Sequence, residues 1–113
     1  MNLKQGLIAC SVFLSANSFA ENNHCKIAGI WKHADKQAWL EVSLITKTVT
    51  IKSHLDNPKA NGLSVIKNLT AKRTGLMYDA STDSYIPVKL AFNGCKQLEV
   101  TNNNVIILTL NRE

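Results

Sequence analysis

The 113-residue sequence predicts an all-β protein, a small antiparallel up-and-down barrel with a β-sandwich as the alternative arrangement. Three observations lead there. Short segments alternate apolar and polar residues with period two, as half-buried strands require. Clusters of Asn, Asp, Gly, Pro and Ser separate these segments at short intervals, where a chain must turn. Beyond the first twenty residues, no stretch carries a helical period.

The alternation begins at Trp39, where Leu40, Val42 and Leu44 point one way and Glu41 and Ser43 the other. It resumes after Thr46-Lys47 with Val49 and Ile51 inward against Thr48, Thr50 and Lys52, the pattern of a hairpin. The turn formers between Asp56 and Gly62 break the ladder, and Leu63 to Leu69 reads as a short apolar strand. Thr74 to Tyr78 is the next strand and Asp79 to Ser84 the next turn. Ile86, Val88, Leu90 and Phe92 then alternate with Tyr85, Pro87, Lys89 and Ala91 in the cleanest strand of the chain. Pro87 has no N–H for a ladder, so that side of the strand is expected at an edge or a bulge. Asn93-Gly94 is a tight-turn signal leading into Gln97–Thr101, and Asn102-Asn103-Asn104 leads into the last strand, Val105–Leu110.

Seven such strands make a meander, and a meander hides its edges by closing into a barrel or folding over as a sandwich. Gly29-Ile30-Trp31, just ahead of them, favours the barrel. A Gly-x-Trp at the start of an up-and-down barrel resembles a lipocalin feature, in which Gly29 would give close backbone passage and Trp31 would be a structural plug closing the floor.

The first twenty residues read as a cleavable signal peptide: one positive charge at Lys4, an apolar run from Gly6 to Leu14, and Ser18-Phe19-Ala20 ahead of Glu21. Cleavage there leaves residues 21–113 as a single domain in the periplasm or outside the cell, with no room for a second. Leu7-Ile8-Ala9-Cys10 offers the alternative of a lipoprotein box, with an apolar segment unusually short for that purpose. Neither the leader nor any later run reaches the roughly 20 apolar residues of a membrane-spanning helix, so no transmembrane segment is expected.

Without the leader the chain holds 12 basic and 8 acidic residues, a net charge of +4. This mild excess favours anionic partners, but it is spread along the chain without a basic stripe, so nucleic acid is not expected as a partner. Cys25 and Cys95 become the only cysteines of the mature chain, and in an oxidising compartment they should be joined.

Residues that resemble chemical sites have simpler explanations. His24, His33 and His54 lack metal-ligand spacing and are expected on the surface. Asp79 and Asp83 flank a turn, where Asp is a standard residue, and no serine sits in a nucleophile motif. Neither enzymatic activity nor a cofactor or metal is therefore expected. The aromatics carry more information. Trp39, Tyr78 and Tyr85 are candidate ligand-binding residues, lining a pocket or marking an exposed patch, with coverage of the core at its rim as the alternative.

From Gly29 to Val100 the chain resembles a divergent, shortened member of the bacterial exported family known as domain of unknown function 2147. The matching residues are Gly29-Ile30-Trp31, Asn57-Pro58, the run Gly62 to Leu69, Gly75-Leu76-Met77-Tyr78-Asp79-Ala80, Tyr85, Lys89-Leu90 and Lys96 to Val100. The departures are a final strand lacking the family's Gly-Arg-Thr-Gln-x-Trp-x-Arg pattern and a shorter segment before Asn57. The resemblance implies a lipocalin-like periplasmic β-barrel. The resulting expectation is a non-enzymatic module holding a small apolar or amphipathic ligand or an envelope component. The alternative is a protein-binding inhibitor or immunity-type module acting on another exported protein.

Overall fold

In a computed structural model that describes residues 25–113, the chain forms eight antiparallel strands in one closed barrel. The segment read as a signal peptide, Cys10 and His24 lie outside the described residues. The strands are β1 (Gly29–His33), β2 (Ala38–Ser43), β3 (Thr48–His54), β4 (Ser64–Lys67), β5 (Thr74–Asp79), β6 (Ser84–Phe92), β7 (Gln97–Asn102) and β8 (Val105–Arg112). Each pairs with the next in sequence, and β1 pairs with β8 through Trp31 opposite Arg112 and His33 opposite Leu110. This is the up-and-down barrel, and the sandwich alternative falls away. Among the described residues no helix is long and apolar enough to cross a membrane.

The expected strand count changes from seven to eight because Gly29–His33 is itself a strand. Only Trp31 of its five residues is fully inward, so the segment shows no alternation of apolar residues, and what holds it is pairing with both β2 and β8. Leu44, expected inward, is in the β2–β3 turn and 54% exposed. The Leu63–Leu69 strand shortens to Ser64–Lys67, preceded by a single 3-10 turn over Pro58–Ala60 that buries Ala60.

The interior is filled by side chains from every strand but β5: Trp31, Leu40, Val42, Val49, Ile66, Val88, Leu90, Leu98, Val100, Leu108 and Leu110 are all buried, and β5 adds the partly buried Met77. At Gly75 of β5 an added Cβ would lie 2.9 Å from Ile66 Cγ2 and 3.1 Å from the Lys67 carbonyl oxygen, so only glycine lets β5 pass this close to β4. Pro87 sits on the half of β6 that extends beyond its pairing with β7, which spans Lys89–Phe92. The missing N–H therefore breaks no β6–β7 ladder bond, as the edge expectation required.

Three ladders carry register shifts: β2–β3 at Trp39/Leu40, β3–β4 at Val49/Thr50, and β7–β8 at Val100/Thr101. In each, one residue is extra on the longer path, Lys52, Val65 and Ile107 respectively, the arrangement of a β-bulge. The first of these shapes the end of the barrel that carries the β1–β2, β3–β4, β5–β6 and β7–β8 connections, where β2 begins and β3 ends.

Candidate barrel-mouth site

The two ends of the barrel differ. One is closed by Trp31, which is fully buried and donates its indole N–H to the carbonyl of Ile27 at 2.8 Å. Residues 25–28 run across this end. The guanidinium of Arg112, the next-to-last residue, stacks 3.9 Å from the Trp31 ring and donates to the carbonyls of Ala28 and Lys26. Phe92 also packs near the indole, with ring centroids 6.2 Å apart and the ring planes tilted by 44°. Gly29 has φ +119°, and an added Cβ would stand 3.2 Å from Arg112 Nη1. That positive φ lets the chain turn from the crossing segment into β1 beneath the guanidinium. Cys25 and Cys95 are joined, with Cα atoms 5.0 Å apart, anchoring the start of the crossing segment to the β6–β7 turn. Arg112 gives no periodic signal and lies 81 residues beyond the tryptophan it covers, so sequence reading passes over it.

The opposite end is open, with a cavity of about 260 Å³ walled by the inward faces of Ala38, Leu40, Ile51, Val65, Met77 and Leu108. The buried Ala60 of the 3-10 turn closes part of its side, and His33, Lys36, His54 and Asn57 form the rim. Larger depressions of about 570, 420 and 580 Å³ lie elsewhere, one across Leu76 and Pro87, one between residues 25–28 and Arg73, and one between Leu44 and the 68–71 loop. Those are walled chiefly by turns and outward-facing residues, whereas the mouth cavity continues the barrel interior.

The rim histidines arise from register. His33 is two residues beyond Trp31 and so faces the same way. On β3, Val49 and Ile51 pair with the inward Val42 and Leu40, and strict alternation would send Ser53 in and His54 out. The bulge at Lys52 reverses this: Ser53 pairs with Trp39 on the outer face, and His54 pairs with the buried Ala38. The expectation of surface histidines is thus corrected for His33 and His54, which are part-buried and line the mouth. Each imidazole accepts a backbone N–H at Nδ1, from Asp35 at 3.0 Å and from Asn57 at 3.1 Å. Those bonds place the proton of each neutral ring on Nε2.

Burial holds the His33 imidazole below its ordinary pKa, reinforced by the nearby charges of Lys36, Lys32 and His54 and opposed only by Asp35. Titration followed by NMR should give His33 a pKa below the free-imidazole value of about 6.5. Lys36→Gln should raise it part of the way back; a His33 that titrates normally and ignores that substitution would contradict the electrostatics of the rim. Because the folded pKa is the lower one, the stabilising contribution of neutral His33 is present above the unfolded pKa and is lost as pH falls through the folded value.

The aromatic candidates lie on the outside. Tyr78 and Tyr85 are cross-strand partners on the β5–β6 hairpin, 41% and 43% exposed, their rings edge to face at 5.6 Å. Lys67 Nζ sits 3.9 Å over the Tyr85 ring. The Tyr78 hydroxyl donates to Asp83 Oδ1 at 2.6 Å, which raises its pKa. Asp79 accepts from the Ser81 hydroxyl and N–H, which lowers its own. Both acids thus serve the turn. Trp39 is on the outer face of β2 with Lys32 Nζ 5.6 Å from its ring, three strands from β5 in the closed order. The structure brings the two tyrosines together and leaves Trp39 apart from them. No group of three or more metal-ligating side chains occurs among the described residues.

The geometry defines a class: an eight-stranded antiparallel barrel, plugged at one end and cupped at the other. Comparison with known proteins adds no relative, since no protein-family model, no curated protein and no solved structure matches the chain.

Proposed function

We propose that this protein is a non-enzymatic binding module of the periplasm or cell exterior, holding a small apolar or amphipathic ligand or an envelope component at the open mouth of its barrel. The observation that carries this reading is the mouth cavity of about 260 Å³, apolar on its walls and polar at its rim, backed by an interior that Trp31 plugs at the far end. Its volume falls just under the ~300–1,000 Å³ of typical small-molecule sites, which favours a compact ligand. The resemblance to the domain of unknown function 2147 and the lipocalin-like Gly-x-Trp agree with a barrel of this kind, and the signal-like leader agrees with export.

Native mass spectrometry of protein taken from the periplasm tests the reading. The expected spectrum contains a fraction carrying a small-molecule increment that disappears on denaturation. A chain that is always bare, even after incubation with envelope lipid extract, counts against it. A second reading, a protein-binding inhibitor or immunity-type module, is favoured by the half-exposed Tyr78–Tyr85 pair and by Val105 and Ile106, 62% and 52% exposed on the β7–β8 hairpin. A protein-sized increment in the same spectrum would select it. Within that class a lysozyme-like target is disfavoured, because like charges would repel a chain of net charge +4.

A further inference from the structure

The geometry points to a ligand with an anionic head: a small amphiphile, of which a medium-chain carboxylate is the simplest, with its tail among Ala38, Ile51, Val65 and Leu108 and its head at His33, Lys36 and His54. This inference rests on the mouth-binding reading and specifies its ligand chemistry.

Three observations converge on it. First, the two rim imidazoles are one-sided in hydrogen bonding. With both Nδ1 atoms occupied by backbone N–H groups, each imidazole offers an Nε2–H donor, and an imidazole that bears its proton there meets an acceptor. Second, the formal charge at the rim is positive. Lys36 lines the cavity and has no ion-pair partner among the described residues, and no carboxylate is among the lining residues. Asp35 and Asp56 stand in the adjoining loops, on residues outside the lining. Third, the groups are positioned by the fold. Ala38 pairs with His54, and a small buried side chain at this position leaves room between the strands that carry the two histidines. An anionic head accepting charge-assisted bonds from these groups is held more strongly than a neutral one, while a cationic head would face Lys36.

Calorimetric titration with octanoate, octanol and octyltrimethylammonium tests this. Octanoate should bind at least about tenfold more tightly than either of the others, the factor that about 1.4 kcal/mol of head-group interaction gives. Lys36→Glu, a change on an exposed loop, should erase that preference and shift it toward octyltrimethylammonium. Equal binding of all three probes to the parent, unchanged in K36E, would overturn the anionic assignment and leave the mouth-binding reading standing. Ala38→Leu, which extends a side chain into the cavity, should abolish binding of all three. Binding unaffected by A38L, or no binding of any probe, would remove the mouth-binding reading itself. Should A38L fail to fold, methyl chemical shifts of the parent decide instead: octanoate must move Ala38, Val65 and Leu108, and movement confined to other methyls would place the ligand elsewhere.

Discussion

Trp31→Ala is expected to destabilise the protein by about 3–5 kcal/mol, the usual cost of truncating a large buried aromatic, against a total of about 5–15 kcal/mol for a whole domain. Several losses coincide in this one change. The indole is fully buried, it supplies the hydrogen bond to the Ile27 carbonyl, and it is the surface on which Arg112 and Phe92 pack. Its removal leaves a cavity beneath a guanidinium that the fold has placed to cover a ring. Trp39→Ala is the control, because that indole lies on the outer face of β2 over a lysine, and it should cost much less. Denaturant melts of the two variants give the comparison. If Trp31→Ala unfolded at the parent's midpoint, the plugged end would have no structural role, and an accompanying loss of ligand would place recognition there.

Reduction of the Cys25–Cys95 bond, or its replacement by two alanines, is the other large effect. The bond closes a loop of 70 residues, and on the chain-entropy model that restricts the unfolded chain by about 4 kcal/mol. The expected result is a clear fall in unfolding midpoint with dithiothreitol, with the slope against denaturant altered because the reduced unfolded chain exposes more surface. Residues 25–28 keep two further anchors, the Trp31 N–H to Ile27 and the Arg112 guanidinium to Lys26 and Ala28. The barrel should therefore still fold. Because the bond and the indole secure the same segment, the losses should not add, and a double-variant cycle should show coupling. A reduced protein as stable as the oxidised one would sink the staple argument.

Much of the barrel was legible because alternation is a direct imprint of one buried face. From Ile86 to Phe92 each residue's burial follows the reading, and the Asn93-Gly94 turn falls where the ladder ends. The two cysteines were legible from their number alone. β1 escaped because its stability comes from partners at both ends of the chain instead of from its own pattern. The rim of the mouth escaped for a sharper reason. His33 and His54 are 21 residues apart in sequence, and His54 faces inward only because one extra residue, Lys52, shifts the phase of β3. A bulge is invisible to a period-two reading, which assigns the next residue to the wrong face. The same device places Val65 in the cavity wall and moves Ile106 out of the inward series of Leu108 and Leu110.

The pairing of β1 with β8 also governs the order of events in folding. A chain appearing from its N-terminus can build the successive hairpins as they emerge, yet β1 and β7 each keep an unpaired edge until residues 105–112 arrive. Contacts such as Trp31 with Arg112 join nearly the whole domain, and separations of that kind slow the search for the native state. During that interval the two open edges are the places where another chain would add a strand. A bond from Cys25 to Cys95 formed early holds the segment ahead of β1 beside the turn ahead of β7, the two edges between which β8 must fit. Oxidation would then shorten the time for which an incomplete barrel is open to the wrong partner.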